Sequence, residues 1–412
     1  MIVWPIKTIG ETCDLMTGGT PSKSKPEYFE GGDIMWLVSG DIHKQEIHDC
    51  DGRITEAGLQ NSSAKYLPES SVMMALNGQG KTRGSVAILR VKATCNQSLV
   101  SINPRDENIL LPEFLYIYLH GKYEQIREMT GDGGNDRRGL NMPLIRSIII
   151  PLPPIEEQKR IVTTLDQAFA NIDKARVLTE QNLKNARELF ESYLHQLFSQ
   201  RGEGWEKTTL GRATGGVFTG PFGSLLHKSD YIENGIPLVN PAHITPTGIE
   251  ADYRKTVSDK TADKLSSYVM RVGDIVIGRR GEMGRCALIN DEEDGFLCGT
   301  GSFFMKSSDR VFGNYLVRYL RSNFCRVRLE RIAGGAVMPN LSNSDLSNFS
   351  FYLPPVEQQK EIAKLIDEIS LQLELVVENY GKKIAALNEL KKSLLQKAFP
   401  GELTKDNKEA AA

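Results

Sequence analysis

The chain carries one sequence signature twice, at an offset of 201 residues. Residues 152–160 read LPPIEEQKR and residues 353–361 read LPPVEQQKE. Further identical pairs at this offset are spread through both copies: Trp4 and Trp205, Gly10 and Gly211, Asp166 and Asp367, Leu194 and Leu395, and Phe198 and Phe399. Because solenoid units are only about 20–50 residues long, a period of this length excludes a solenoid. The pattern predicts a tandem duplication, and therefore two similar units in one protein.

The composition is typical of a globular protein in a reducing compartment. At 412 residues the chain is longer than one domain of about 100–200 residues. Its six cysteines form no C-x-x-C pair and its six histidines show no metal-ligand spacing, which argues against a zinc site and a disulfide framework. The sequence shows neither a signal peptide nor a run of about 18 apolar residues. We therefore expect a cytoplasmic protein with no membrane span, no metal and no cofactor in this chain.

Each copy consists of a globular part followed by a helical part. The globular parts are rich in Gly, Pro, Thr and Ser, and their short apolar runs between turn signals are typical of strands. The predicted strands are 34–39, 72–76, 85–91, 97–102 and 145–151 in the first copy and 237–240, 274–278, 286–289 and 302–305 in the second, with helices at 111–120 and 312–323. We assign the chain to the α+β class, with β-rich domains at 1–152 and 200–353, long helices at 153–199 and 354–400, and a polar tail at 401–412.

The two long helices are predicted from their composition and heptad spacing. Both follow a Pro-Pro pair, which a first helical turn tolerates because its N–H groups have no intrahelical partner. Apolar residues recur in steps of three and four, broken in both copies by one 11-residue step. The seam residues are Ile161, Leu165, Ile172, Leu183 and Phe190 in the first helix, and Ile362, Ile366, Leu373, Ile384 and Leu387 in the second. We expect the helices to pack on each other; the alternative is two separate helices, each lying on its own globular domain.

No set of residues predicts catalysis. Residues 75–82 read ALNGQGKT and fit a permissive phosphate-loop pattern, but a β-type run follows where a phosphate loop needs a helix. Residues 240–243 read NPAH, which lacks the second proline and the aromatic residue of an amino-methyltransferase motif. Two alternatives to a binding protein stay open at this point. One is a stand-alone enzyme, either a DNA methyltransferase or an ATPase that uses Lys81 and Thr82, and the other is a structural coiled-coil adaptor.

Flexible, polar, basic loops recur at matched places in both copies. The net charge of −2 argues mildly against nucleic-acid binding, but Lys and Arg are concentrated in these loops, where they can contact phosphates or guanine edges. The alternative is that the loops are plain turns with solvated charges. The candidate DNA contacts are Thr20, Ser22, Lys23, Lys25, Asn77, Gln79, Lys81, Thr82, Arg83, Asn135, Arg137, Arg138 and Asn141 in the first copy, and Thr219, Ser224, Lys228, Arg279, Arg280, Glu282, Met283, Arg285, Asn340 and Ser342 in the second. Trp4 and Trp205 are predicted to be core residues.

The helix motifs identify a family. Two variable β-rich domains, each followed by a helix that begins with LPPIEEQKRI or LPPVEQQKEI, and the ending LLQKAFPGEL closely resemble the specificity subunit of type I restriction–modification systems. The runs TGGTPSKSKPEYFEGGDIMWLVSGDI and GQGKTRGSVAIL are also similar to that family's target recognition domains. The resemblance covers essentially the whole chain.

The resemblance implies a non-catalytic DNA-binding subunit. Each target recognition domain would read half of a bipartite site on double-stranded DNA. The helices would form an antiparallel coiled coil, with a pseudo-twofold repeat, that sets the spacing and docks two modification (methyltransferase) subunits and the restriction (translocase and endonuclease) subunits. S-adenosylmethionine, ATP and magnesium would then belong to those partners. Because Gln79–Arg83 and Arg279–Met283 differ strongly in sequence, we expect the two half-sites to differ and the target to be asymmetric.

Overall fold

The computed structural model describes residues 4–78, 80–130, 139–222, 225–333 and 340–403. These residues form two compact units, and each unit combines one globular part with segments of both long helices. The first unit contains the chain up to Thr179 together with the residues from Lys382 onward, and the second contains Glu180–Gly381. No helix within the described residues combines the length and the apolar content needed to cross a membrane.

The first unit contains ten strands and the beginning of a long helix among its described residues. The strands are β1 (Ile6–Thr8), β2 (Cys13–Thr17), β3 (Ile34–Leu37), β4 (Glu46–Ile47), β5 (Arg53–Ile54), β6 (Val72–Ala75), β7 (Val86–Leu89), β8 (Thr94–Cys95), β9 (Leu99–Pro104) and β10 (Ile149–Pro151). The helices are α1 (Ile9–Thr12), α2 (Glu56–Gln60), α3 (Pro112–Gly121), α4 (Tyr123–Glu128), α5 (Met142–Arg146) and α6 (Ile155–Ser199).

The second unit repeats this order of elements. Its strands are β11 (Glu206–Thr209), β12 (Val217–Thr219), β13 (Tyr231–Ile232), β14 (Ile236–Val239), β15 (Thr256–Val257), β16 (Ile275–Gly278), β17 (Cys286–Leu288), β18 (Leu297–Cys298), β19 (Ser302–Met305) and β20 (Ser350–Leu353). Its helices are α7 (Leu210–Ala213), α8 (Asp259–Lys264), α9 (Gly313–Arg321), α10 (Asn323–Ile332), α11 (Asn343–Ser347) and α12 (Val356–Ala398).

Strand pairing shows that the two units share one topology. The central sheet has the strand order β2-β9-β6-β7-β4 in the first unit and β12-β19-β16-β17 in the second. A second sheet has the order β5-β3-β8 in the first unit and β13-β15-β14-β18 in the second. A separate antiparallel pair, β1 with β10 or β11 with β20, joins the first strand of each unit to the strand before its long helix. Every central strand of β6, β7, β16 and β19 is buried along its length, which explains why these runs are apolar without alternation.

The predicted elements are present, with one error in type. Each predicted strand overlaps an observed strand, and the two predicted helices correspond to α3 and α9. The exception is 145–151, where a strand was expected throughout. The side chain of Asn141 accepts a hydrogen bond from the Leu144 amide (3.0 Å) and caps α5, so the first part of that run is helical and only Ile149–Pro151 forms a strand. The helices α4 and α10 were not predicted.

In the first unit, segments of both long helices lie against the same core. Ile161 and Leu165 of α6 share a hydrophobic cluster with Leu395 and Ala398 of α12. Further along α6, the Asp173 carboxylate forms an ion pair with Lys391 (3.2 Å). Residue numbers increase along α6 in the direction in which they decrease along α12. The two segments are therefore antiparallel in this unit.

The second unit likewise contains a segment of each helix. Phe190 and Leu194 of α6 pack in one cluster with Ile362 and Ile366 of α12. The alternative of two separate helices, each on its own domain, is therefore wrong, because each core contains both. A coiled coil along the full length of the helices stays a prediction.

The apparent break in the heptad seam is filled by two hydroxyl-bearing side chains. Thr179 lies within the 11-residue step of α6 and is 1% exposed; its Oγ1 donates to the Ala175 carbonyl (2.7 Å). Tyr380 occupies the equivalent step of α12 and is half-buried. All ten predicted seam residues are buried or half-buried. Each of these two side chains lies four residues from a seam residue on either side, so the predicted departure from a strict heptad is present in both helices.

A buried glutamine joins each globular part to its long helix. Gln158 has no solvent exposure, and its Nε2 donates to the carbonyls of Ile109 (2.8 Å) and Pro153 (2.9 Å) while its Oε1 accepts from the Leu111 amide (2.9 Å). This uses both donors and the acceptor of the side-chain amide. We call this arrangement the glutamine clamp.

The second unit has the same clamp at the offset of 201 residues. The fully buried Gln359 donates to the carbonyls of Arg310 (2.9 Å) and Pro354 (2.8 Å) and accepts from the Phe312 amide (2.8 Å). The clamp therefore explains why a glutamine stands at this position in both helix motifs.

We predict that Gln158→Ala lowers the free energy of unfolding of the first unit by about 3 kcal/mol. The substitution leaves one amide and two carbonyls without partners, and a buried unsatisfied group costs about 1–3 kcal/mol. Hydrogen exchange at the Leu111 amide, together with denaturant unfolding, measures the effect. Gln167→Ala on the exposed face of α6 is the matched control and should change stability by less than about 0.5 kcal/mol. Equal stability of the two variants would contradict a stabilising role of the clamp.

Candidate nucleic-acid interface

In the first unit, three segments distant in sequence meet beside the end of β6. The Leu76 amide donates to the Ser98 carbonyl (2.8 Å), and the Leu140 amide donates to the Leu76 carbonyl (2.9 Å). The loop 76–85 between β6 and β7 is thereby joined to the residues before β9 and to those before α5. This arrangement brings Asn77, Gln97 and Asn141 to one region of the unit, and all three are exposed.

Two side chains of α4 hold the loop 76–85 by donating hydrogen bonds to its main-chain carbonyls. The Tyr123 hydroxyl donates to the Lys81 carbonyl (3.0 Å), and Arg127 Nη1 donates to the Gly80 carbonyl (2.8 Å). The strand β7 follows the loop, so no helix N-terminus is available to hold a phosphate. The prediction that a strand and not a helix follows residues 75–82 is confirmed by β7.

Several predicted contacts of the first unit are solvent-accessible. Ser22, Lys23, Lys25 and Lys81 are exposed, and Thr20, Thr82 and Arg83 are half-buried. Gln79, Asn135, Arg137 and Arg138, like Ser224 of the second unit, lie outside the described residues.

Two of these threonines contact side chains that the sequence pattern did not single out. Thr20 Oγ1 donates to Gln97 Oε1 (2.6 Å), and His43 Nε2 lies 3.1 Å from Thr82 Oγ1. Gln97 and His43 were missed because neither belongs to a repeated loop. An exposed glutamine beside the loops is the kind of side chain that can read adenine.

Two glycines of the loops, Gly18 and Gly220, have a packing role. A Cβ on Gly18 would overlap the Cys95 carbonyl, and one on Gly220 would overlap the Gly299 carbonyl. These glycines therefore allow close approach of neighbouring backbone within each unit.

In the second unit, the candidate interface is centred on Arg279. Its Nε donates to Asn340 Oδ1 (3.1 Å), and its guanidinium lies over the rings of Phe222 (5.1 Å) and Phe303 (5.7 Å). Phe222 is 45% exposed, and its role was not predicted. A planar cation stacked on rings and oriented by an amide is fixed in direction, as a base-reading arginine must be.

The remaining candidates of the second unit differ in exposure. Arg280, Lys228 and Ser342 are exposed, Thr219 is half-buried at the end of β12, and Glu282 forms an exposed ion pair with Arg285 (2.8 Å). Ser342 Oγ also caps α11 by accepting from the Asp345 amide (3.0 Å).

The prediction for Met283 is corrected by its burial. Met283 is 1% exposed and belongs to a hydrophobic core cluster of the second unit. The chain must turn inward here because Gly284, at φ +78°, packs against the backbone of α9. The Met283 side chain therefore stabilises the unit and does not face a nucleic acid.

The backbone defines which residues of the two units are equivalent. The Arg279 amide donates to the Gly301 carbonyl (3.0 Å) and the Leu341 amide donates to the Arg279 carbonyl (3.1 Å), as Leu76 does with Ser98 and Leu140. Arg279 therefore corresponds to Leu76, and the loop 279–285 is shorter than the loop 76–85. The two interfaces differ in both side chains and loop length.

The described residues offer no alternative chemical centre. All six cysteines are buried, and desolvation raises the pKa of the Cys13 thiol to about 11 and that of the Cys95 thiol to about 12, so these thiols stay protonated. No three His, Cys, Asp or Glu side chains in the described part of the chain are grouped so that they could hold a metal ion.

Comparisons with known proteins agree on one family. The model of the type I restriction modification DNA specificity domain matches residues 1–185 and again residues 203–381. The type I restriction enzyme MjaIX specificity subunit of Methanocaldococcus jannaschii is 25% identical over 421 residues, which cover 97% of this chain and 93% of that protein. The EcoR124I/EcoR124II specificity subunit of Escherichia coli is 30% identical over 195 residues, covering 47% of this chain and 48% of that protein.

Two solved structures share the fold. One comes from work on complex assembly and conformational transition of the type I R-M system; it is 20% identical, with a TM-score of 0.76 over 98% of this chain and 99% of that chain. The HsdS subunit from Thermoanaerobacter tengcongensis is 20% identical, with a TM-score of 0.66 over 97% of each chain. Because the two family matches fall on the two copies of the repeat and together cover most of the sequence, this chain belongs to the family of type I restriction–modification DNA specificity subunits, which are non-catalytic.

Proposed function

We propose that this subunit reads an asymmetric bipartite site on double-stranded DNA, with one half-site for each unit. The observation that carries the proposal is the equivalent backbone position that holds Leu76 in the first unit and Arg279 in the second. One scaffold thus presents different side chains at the same place. Phosphate contacts position a protein on DNA, whereas contacts to base edges specify the sequence, so different side chains imply different half-sites.

The two interfaces support this assignment through distinct chemistry. In the first unit, neutral amides and hydroxyls dominate near the loop, including Asn77, Gln97 and Thr20, with Lys81 exposed beside them. In the second, Arg279 and Arg280 are adjacent to Asn340. Amide side chains suit adenine and arginine suits guanine.

We further propose that two modification subunits dock on the long helices at equivalent leucines. Leu189 of α6 is 72% exposed and Leu390 of α12 is 47% exposed, and they are related by the offset of 201 residues. An exposed apolar residue repeated at the same position in both helices fits two identical partners. Those partners would supply S-adenosylmethionine chemistry. The restriction subunits, with ATP and magnesium, would join the same complex in the cytoplasm.

Exchanging residues 1–152 for the corresponding domain of another family member should change one half-site and leave the other unchanged. The reason is that each unit contains its own interface loops and its own core. Sequencing of methylated adenines in cells that express the complex measures both half-sites at once. The reciprocal exchange of residues 200–353 is the control and should change the other half-site. A change in both half-sites after a single exchange would contradict independent reading.

Inserting one heptad after Thr179 and one after Tyr380 should lengthen the spacer between the half-sites by about 3 base pairs. Seven helical residues add about 10 Å, and base pairs are about 3.4 Å apart. A whole heptad keeps the seam in register, and both insertions lie outside the globular parts. The same methylation mapping gives the spacer length. An unchanged spacer, with the methylation activity retained, would show that the helices do not set it.

Replacing both Leu189 and Leu390 by Asp should weaken binding of the modification subunits by at least about 10-fold at each position. A carboxylate forced into an apolar interface loses its hydration, and anchoring contacts are worth more than about 1–2 kcal/mol. Native mass measurements should show one modification subunit lost with either single variant and both lost with the double variant. The exposed Gln167→Asp on the same helix is the control. Retention of both partners by the double variant would place the docking surface elsewhere.

A further inference from the structure

The guanidinium of Arg279 is oriented from three sides. Asn340 Oδ1 accepts from Nε at 3.1 Å, Phe303 lies beneath the group with no solvent exposure, and the partly exposed Phe222 covers it from the loop after β12. Arginine stacked on aromatic rings gains a cation–π attraction that grows with desolvation. The side chain is therefore held in one direction before any ligand is bound.

The main chain of Arg279 is fixed as well. Its amide donates to Gly301 and its carbonyl accepts from Leu341, so the residue is tied to the segments on both sides of it. A reader of bases needs this rigidity, because a side chain that must first be ordered loses affinity and selectivity.

The outer edge of the guanidinium is available for a ligand. Within the described part of the chain, no residue accepts a hydrogen bond from Nη1 or Nη2 of Arg279, and the residue is half-buried. With Nε used by Asn340, these two nitrogens present a parallel pair of donors. Guanine O6 and N7 form the matching pair of acceptors in the major groove.

The fold itself does not require an arginine at this position. The equivalent Leu76 of the first unit makes the same two main-chain hydrogen bonds, is 7% exposed and packs in the core. The same two main-chain hydrogen bonds therefore form with a leucine in the first unit and with an arginine in the second. The arginine is charged, stacked on aromatic rings and partly exposed to solvent. A structural role alone does not account for this choice.

We propose that Arg279 is the specificity-determining residue for one guanine in the half-site of the second unit, and that Asn340 and Phe222 are its positioning residues. This inference rests on the proposed function and deepens it by naming a base. A phosphate can also accept two parallel hydrogen bonds from arginine, but it carries no sequence information. The two ligands therefore predict different results from substitution.

The test uses the complete complex of this chain with its modification subunits. The substrate is a DNA library randomised at every position of both half-sites, and sequencing of the methylated products gives the base preference at each position. Arg279→Lys keeps the charge and loses the planar pair of donors. We expect it to lower the preference for guanine at one position of one half-site by about 10- to 100-fold, since one bidentate pair contributes about 1–3 kcal/mol of discrimination.

Additional variants separate positioning from folding. Asn340→Asp retains the acceptor for Nε and should keep the guanine preference, whereas Asn340→Leu should weaken it at the same position. Phe222→Tyr should retain the preference and Phe222→Ala should reduce it. Arg279→Leu copies the side chain of Leu76, so it should unfold at the wild-type midpoint and lose the guanine preference at that position. The half-site of the first unit is the internal control in every case.

Each other outcome overturns the inference in a recognisable way. A uniform loss of methylation at all sequences after Arg279→Lys or Arg279→Leu would identify a phosphate contact. Unchanged base preferences in both variants would show that Arg279 is not a reader, while the bipartite target of the wild-type complex would leave the proposed function intact. If the wild-type complex showed no bipartite preference, the proposed function itself would fail.

Discussion

The glutamine clamp is the interaction on which the rest of each unit depends. It lies where a β-rich part with many loops meets a helix of more than forty residues, and it satisfies main-chain groups that would otherwise be buried without partners. Isolated hydrogen bonds contribute little to net stability, but unsatisfied buried groups are costly, so the clamp acts mainly by preventing a loss. The clamp fixes each globular part to its long helix. The loops of the candidate interfaces are in turn positioned by the strands and helices of those globular parts.

Most of the fold could be predicted because it is expressed in local patterns and in the repeat. Helix composition, the Pro-Pro pairs and the short apolar runs gave the class and the order of elements. The error at residues 145–151 has a physical cause, because Asn141 caps a helix where a strand was expected. Gln158 carried a usable signal, since it is identical in both copies, but a polar residue in a charged motif is easily taken for a surface residue.

The candidate site was less predictable because it depends on long-range pairing. Composition identified the loops, but Gln97, His43 and Phe222 lie beside the candidate residues only because segments distant in sequence come together there. The comparison of residues 79–83 with residues 279–283 set Arg279 against Gln79, whereas the backbone hydrogen bonds make Leu76 its equivalent, since the loop after β16 is shorter than its counterpart. Exposure could not be read from residue type either, as Met283 in the core shows.

The hydrogen bonds of the clamp bear on how domains can be exchanged between related genes. Gln158 and Gln359 bind only main-chain amides and carbonyls of the globular parts, at Ile109, Leu111, Arg310 and Phe312. These hydrogen bonds place no condition on the side chains of the four residues. A crossover between genes that falls at the Pro-Pro motif would therefore keep these hydrogen bonds available to a foreign domain, whatever its side chains at the four positions. Change of DNA target could then proceed by exchange of whole domains, without first rebuilding the clamp by successive point mutations.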